Sequence, residues 1–405
     1  MKRFFDVLKG VWKLVVLFFL IILTFSYAMF QGGFVSWFLF YSFLPFALYA
    51  LFLVFYPFQR IDAVRSLSKH EFNAGEQLKV SIELERYVQF PLFFLVVEDC
   101  IDEKLNQLGM ANKSKTLMFP GFQKKLSYEY FIENLPRGEH IITAIRLKTG
   151  DPLGLIEKEI VVQTESRLVV YPSYEELIYK PFENHYDQGM TASRERVQRD
   201  TSMAIGIREY QPGDRFSWIN WKATAKRNDI MTKEFEQRQS HDVYIMMDCT
   251  PHRSFEAIVS FSASIMRAIL RKGAQVGFLT SSAERAAFPI RGGETQQQQI
   301  LYHLAKVRDE SSVTFDRVLE TEKFLAQQNY NLMLVTGQLT KELIEKAGYF
   351  SSRKGIVTIF LIKGKNDSPT GTELSLKSEG SARGIRVVMI HDGSFSEAFS
   401  EVRKA

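Results

Sequence analysis

Residues able to do chemistry are few in this 405-residue chain, and they lie far apart. The only thiols are Cys100 and Cys249, which rules out a disulfide framework and any zinc site built from several thiolates. Cys249 follows Asp248, and an anionic neighbour raises a thiol pKa, the wrong direction for a nucleophile. His241, His252, His303 and His391 are scattered, without the base-plus-orienter arrangement of nucleophilic catalysis, so core or surface roles are expected for each. No Gly-x-x-x-x-Gly-Lys loop is present to cradle phosphate, and no Gly-x-Gly-x-x-Gly follows a strand. What remains is Asp248-Cys249-Thr250-Pro251-His252, a carboxylate and a hydroxyl at the end of an apolar run from Val243 to Met247. Thr280, Ser281 and Ser282 could add a hydroxyl after the next strand. The plain structural account is that Asp248 accepts backbone N–H bonds at the strand end, while Thr250 or Ser254 caps the helix that follows.

A second stretch, from Arg208 to Lys226, is distinctive for recognition rather than catalysis. Pro212-Gly213 after Tyr210 suits the two central positions of a type II turn. Asp214 or Ser217 is placed to cap a short helix beginning near Trp218. On that helix Trp218, Trp221 and Ala225 would share a face, with Lys222 and Lys226 as an i, i+4 basic stripe. Glu and Asp residues interleave with the Arg and Lys residues from Arg194 to Arg238, so internal ion pairs and packed indoles are expected and nucleic acid is not expected as a partner. An acidic protein surface or anionic headgroups would suit the lysine stripe.

The elements that must position these residues can be read from composition and periodicity. Hydrophobic residues make up 46% and charged residues 24%, a folded composition with room for about two to three domains of ~150 residues. The formal charge of +5 is concentrated at the start: the first 60 residues hold Lys2, Arg3, Lys9, Lys13 and Arg60 against Asp6 alone, together with 14 of the 34 Phe. Leu14 to Phe30 and Phe34 to Phe58 are each long enough, the first with Val11 and Trp12, to cross ~30 Å of hydrocarbon. Joined by Gln31-Gly32-Gly33, they predict a transmembrane hairpin over 1–59. A cleaved signal peptide ending at Ser26-Tyr27-Ala28 is the lesser reading, because a second span follows at once. The basic residues before the hairpin, and Arg60, Arg65 and Lys69 after it, place both ends in the cytoplasm of a plasma membrane, with the bulk of the chain on that side.

From 60 to 172 the period is two, in segments such as Leu78 to Leu84 and Leu126 to Phe131 separated by Gly and Pro turns, which predicts an immunoglobulin-like β-sandwich. Residues 173–242 read as a linking segment. From 243 to 405, apolar strands at 243–247, 276–279, 332–335, 356–362 and 385–390 alternate with helices near 254–271, 295–308, 315–328 and 339–349, a doubly wound α/β domain. The fold class is thus α+β and multidomain.

Tyr210 to Asp214, then Ile219-Asn220-Trp221-Lys222-Ala223, then Glu234-Phe235-Glu236, resemble the hallmark of the domain of unknown function 58 family. The Asp151-Pro152-Leu153-Gly154-Leu155 turn and the Val170-Tyr171-Pro172 exit extend the resemblance across the chain. The resemblance implies an uncharacterised bacterial membrane protein with a von Willebrand factor A-like C-terminal domain, and a MoxR-type AAA+ ATPase as partner. In von Willebrand A domains the loop at Asp248 would carry an Asp-x-Ser-x-Ser magnesium site; here Asp248 and Thr250 match, His252 replaces the second hydroxyl, and Thr336-Gly337-Gln338 brings no carboxylate. The reading is therefore a membrane-anchored, non-enzymatic scaffold without cofactor. Arg208, Tyr210, Pro212, Gly213, Asp214, Trp218, Trp221, Lys222 and Lys226 form its recognition element. The alternative is a Mg²⁺-dependent ligand-binding module using Asp248 and Thr250.

Overall fold

The computed structural model describes residues 2–102, 105, 114–180, 198–211, 214, 216–227, 229–238, 242–282, 285–322, 330–351 and 356–403. The chain divides into two compact units, Met1–Tyr171 and Pro172–Ala405.

The first unit opens with α1 (Lys2–Gln31) and α2 (Phe34–Phe55), two helices long and apolar enough to span a membrane. Gly32 ends α1 in the left-handed region (φ +62°) and donates its N–H to Ala28 O at 3.1 Å, a conformation that glycine adopts without a Cβ penalty. This turn reverses the chain between the two helices. The buried positions on them include Ala28, Ser36, Ala47 and Ala50, small residues that let helix backbones approach closely, while Phe19, Phe30, Phe34, Phe38 and Phe52 stay exposed.

Behind the hairpin lie two sheets. One has the order β1 (Ile61–Leu67), β3 (Leu78–Arg86), β6 (Lys125–Ile132), all antiparallel. The other has the order β2 (Glu71–Asn73), β8 (Glu157–Tyr171), β7 (Gly138–Gly150), β4 (Leu95–Cys100), β5 (Lys115–Met118). The alternation on β3 turns Leu78, Val80, Ile82 and Leu84 inward, where they share one core with Leu95, Val97, Ile145, Leu147, Leu168 and Val170 of the second sheet. Beside short strands such as β2, β4 and β5, the unit has a long β7–β8 hairpin of 13 and 15 residues, bulged between Ile142 and Ala144, and β2 added to β8 in parallel. A buried ion pair crosses the core: Arg65 Nε donates to Asp99 Oδ2 at 3.0 Å, its Nη2 pairs with Asp99 Oδ1, and Tyr130 Oη donates to Asp99 Oδ2 at 2.8 Å. Burial first, then Asp99, pushes the Tyr130 phenol far above its usual range.

The second unit begins with residues expected to link domains. Residues 172–180 strap onto the α/β body: Ser260 Oγ donates to Ser173 O at 2.7 Å, Glu175 N–H to Ser264 Oγ at 2.9 Å, and Lys272 Nζ to Tyr179 O at 3.2 Å. Tyr174, Leu177 and Tyr179 of this stretch bury apolar surface on the core. Next come β9 (Gln198–Glu209) and β10 (Met231–Arg238), an antiparallel ribbon with α3 (Trp221–Arg227) between them.

The main sheet contains β11 (Val243–Met247), β12 (Val276–Thr280), β13 (Ala286–Arg291), β14 (Asn331–Thr336), β15 (Val357–Lys363) and β16 (Ile385–His391), in the order β13-β12-β11-β14-β15-β16. All pairs are parallel except β12–β13. Alternate residues feed two cores. Ile245, Met247, Val335 and Phe360 face α4 (Phe255–Arg271) and α5 (Glu294–Lys306). Met246, Leu334, Ile359 and Leu361 face α6 (Phe315–Thr321) and α7 (Lys341–Ser351). The doubly wound expectation therefore holds, with three differences. The expected helix at 315–328 is α6 and ends at Thr321; 323–329 lie outside the described residues. The strand β13, carrying Pro289, is an antiparallel edge, the place a sheet tolerates proline. And α8 (Gly371–Ala382), of low helix propensity, is held by a capping box between Thr370 and Glu373.

Candidate functional site

The ribbon and α3 form one module. Tyr210 N–H donates to Ile230 O and Asn220 N–H to Met231 O, both at 2.8 Å, so the connecting segment closes back on β10. Arg208 grips Asp214 with two parallel bonds of 2.8 Å, and Gln211 N–H adds a third to Asp214 Oδ2 at 3.0 Å. The Arg208 guanidinium, then the Gln211 amide, holds the Asp214 carboxyl below the usual carboxylate range. Asp214 and Ser217 are expected as helix caps, but the cap is Asn220: its Oδ1 accepts Ala223 N–H at 3.3 Å and its O accepts Thr224 N–H at 2.9 Å. A single helix from Trp218 is also corrected. Residues Phe216–Trp218 form a separate 3-10 turn, and Ile219 bridges to Thr232, so Trp218 and Trp221 do not share a helix face.

Burial decides what this module presents. Trp218 and Tyr210 are half-buried and Ile219 is buried, but Trp221 is 68% exposed and Phe216 78%. Ile207 and Ile230 are exposed as well, and Lys222 and Lys226 stand exposed on α3. The packed indole expected at Trp221 is absent. Pro212, Gly213 and His241 lie outside the described residues.

The other candidate is at the carboxyl edge of the main sheet, between β11 and β14, where the strand order reverses and doubly wound folds form a crevice. Asp248 is almost completely buried there. Its Oδ1 accepts Thr250 N–H and Thr250 Oγ1, each at 2.9 Å, and its Oδ2 accepts Thr336 Oγ1 at 2.7 Å. Ser281 Oγ accepts Cys249 N–H at 2.8 Å, and Thr280 faces His303 Nε2 at 2.9 Å. His252 Nδ1 accepts Ser254 N–H at 3.1 Å, and its ring lies so close to Gly337 that a Cβ there would fall 2.4 Å from Nδ1. Ser254 occupies the cap position of α4 without a side-chain cap bond.

Asp248 and Thr250 are therefore brought together, and Thr336, expected only as part of a loop that brings no carboxylate, is their third partner. Its signal is positional: a hydroxyl directly ends the apolar strand β14, as Asp248 directly follows β11. The set does not fit a resident Mg²⁺. It offers one carboxylate whose two oxygens already accept the hydroxyls that would have to turn toward a cation, and among the described residues no three of His, Cys, Asp and Glu come together. For thiol chemistry the edge is equally poor, since Cys249 is fully buried.

Residues 206–404 match the family model described as "Protein of unknown function DUF58". Uncharacterized protein YeaD of Bacillus subtilis (strain 168) is 39% identical over 389 residues, covering 95% of this chain and 96% of that protein. Among solved structures, the SpRpn10 VWA domain aligns with a TM-score of 0.30 and 13% identity over 39% of this chain and 92% of that one. Proximal thread matrix protein 1 from the mussel byssus aligns with a TM-score of 0.29 and 13% identity over 40% and 46%.

Proposed function

The chain belongs to the DUF58 family, and from that premise we propose that it is a membrane-anchored, non-enzymatic scaffold that presents a protein-recognition surface in the cytoplasm. One observation carries the reading: Trp221 and Phe216 are held exposed on a module whose backbone is pinned by the Arg208–Asp214 pair. Exposed large aromatics on a rigid support, flanked by Lys222 and Lys226, have the chemistry of a hot spot awaiting an apolar pocket with an acidic rim. The two apolar helices supply the anchor. Support for the non-enzymatic part comes from the chain's polar groups, which are spent on structure: Asp248 on Thr250 and Thr336, His252 on Ser254, and His303 on Thr280. The von Willebrand A-like and immunoglobulin-like assignments belong to this proposal. So does the partner, a MoxR-type AAA+ ATPase acting with the scaffold in envelope protein assembly or maintenance.

The test is a pull-down of such an ATPase by the full chain in nanodiscs, with ATP present. Trp221→Ala is expected to weaken capture by at least ~30-fold, as for loss of a central tryptophan worth about 2 kcal/mol. Failure to recover the ATPase would remove the partner, and unchanged capture by both Trp221→Ala and Phe216→Ala would remove the surface.

A further inference from the structure

Two loops of the first unit are built as one apolar tip beside the end of α2. Arg86, only 1% exposed, donates to Gln123 O at 2.8 Å and to Phe90 O and Gly121 O at 3.0 Å, so one guanidinium fastens both the β3–β4 and the β5–β6 loops by their carbonyls. Leu92 and Gly121 exchange N–H···O bonds of 3.2 and 3.1 Å across the gap. From this fixed frame Phe93, Phe119 and Phe122 project with 58%, 69% and 68% of their surface exposed. Residues 87–93 and 116–122 contain no charged side chain, and from Ser114 to Lys125 the only charges are Lys115, Lys124 and Lys125.

The tip is tied to α2 at a definite height. Phe93 N–H donates to Tyr49 Oη at 3.0 Å, and the Phe90 ring lies 5.5 Å from that of Tyr49 and 5.2 Å from that of Tyr56. Tyr49 precedes Phe55, the last residue of α2, by six positions, or about 9 Å of helix axis. The helix end itself is marked by Lys158, whose Nζ donates to Val54 O at 2.7 Å and Tyr56 O at 2.6 Å. If α2 crosses the bilayer, Phe93 lies below its exit, at the depth where interfacial apolar groups sit ~5–10 Å into the headgroup–acyl boundary.

We propose that this loop tip is a lipid-binding surface: Phe93, Phe119 and Phe122 enter the interfacial layer of the leaflet from which α2 emerges, with Lys124 against anionic headgroups. The proposal rests on the membrane-anchor reading and adds that the sandwich is docked on the bilayer rather than hung from it. Single-tryptophan reporters separate the two. Full-length protein is placed in nanodiscs of mixed zwitterionic and anionic lipid, brominated either near the headgroup or near the acyl terminus. A chain keeping only Trp37 reports the anchor. A chain with all four native tryptophans replaced by Phe and carrying Phe122→Trp reports the tip, with Phe119→Trp as the second reporter. The tip reporters are expected to lose most of their emission to the shallow bromines and little to the deep ones, and Lys124→Glu is expected to lessen the shallow quenching. An unquenched Trp37 would overturn the anchor itself. A quenched Trp37 with unquenched tip reporters would overturn the docked tip, and tip reporters shielded from both lipid bromine and aqueous acrylamide would show a protein covering the tip instead.

Discussion

At the residue scale, Asp214 and Asp248 each hold their carboxylate oxygens on neighbouring groups. Asp214 is the sharpest case, because its lowered pKa links the β9–α3–β10 module to pH. A carboxyl with a folded-state pKa below its unfolded value of about 4 contributes stability that is complete above that value and is lost as pH falls through the lowered one. Acid titration followed by Trp218 and Trp221 emission is therefore expected to show a loosening of the module below about pH 4 that Asp214→Asn has already undergone at neutral pH; superimposable titrations would remove the role given to this pair. Asp248 makes the opposite kind of prediction. With both oxygens engaged by Thr250 and Thr336, it has no need of a cation, so calorimetric titration with Mg²⁺ is expected to give equal traces for wild type and Asp248→Ala. Heat confined to wild type would establish the cation-dependent alternative. Asp248 and Thr250 are legible in the sequence because they are two residues apart. Thr336 is not, because 88 residues separate it from Asp248 and only the parallel β11–β14 pairing joins them.

At the element scale, secondary structure was legible where periodicity was strong and hidden where it was not. The apolar strands β11, β14 and β15 and the amphipathic α4 follow directly from their patterns. The missed α8 is a serine- and glycine-containing helix stabilised at its start, where the Thr370-x-x-Glu373 spacing was its one local signal. In the first half of β8 the inward side is only half-buried, with Ile160 and Val162 packing on the core between polar neighbours, so its alternation is weak. In the first unit, Arg65 and Asp99 each have fully buried side chains, and the Arg65 guanidinium also reaches Ile142 O at 3.0 Å, tying β1 to the other sheet. Removing one partner of such a pair leaves an uncompensated charge. Asp99→Ala is expected to cost about 3–5 kcal/mol, read as a lowered urea midpoint for the first unit, and a loss under ~1 kcal/mol would show that water reaches Arg65. Burial also removes Arg65 from the exposed basic residues that follow the second helix, where Arg60 and Lys69 stay exposed.

At the scale of the whole molecule, the prediction is one of sidedness. Protease added to inverted membrane vesicles is expected to digest the chain beyond α2, whereas protease outside intact cells should leave it whole; the reverse pattern would put the recognition surface beyond reach of any cytoplasmic ATPase. The expected orientation rests on the basic residues around the hairpin. What the sequence determined by itself was what local order dictates: two apolar runs long enough to cross a bilayer, the switch of period from two to alternating strand and helix, and the Arg208–Lys226 signature. These follow because helix length, side-chain alternation and turn chemistry are set by neighbours within a few residues. Only the tertiary structure decided which side chains those elements hide. It left Trp221 and Phe216 in solvent, turned Thr336 onto Asp248, strapped residues 172–180 to the α/β core and set the Phe93 loop against Tyr49. Burial depends on contacts between segments far apart in the chain, and no local pattern of residues encodes which distant surface will cover which.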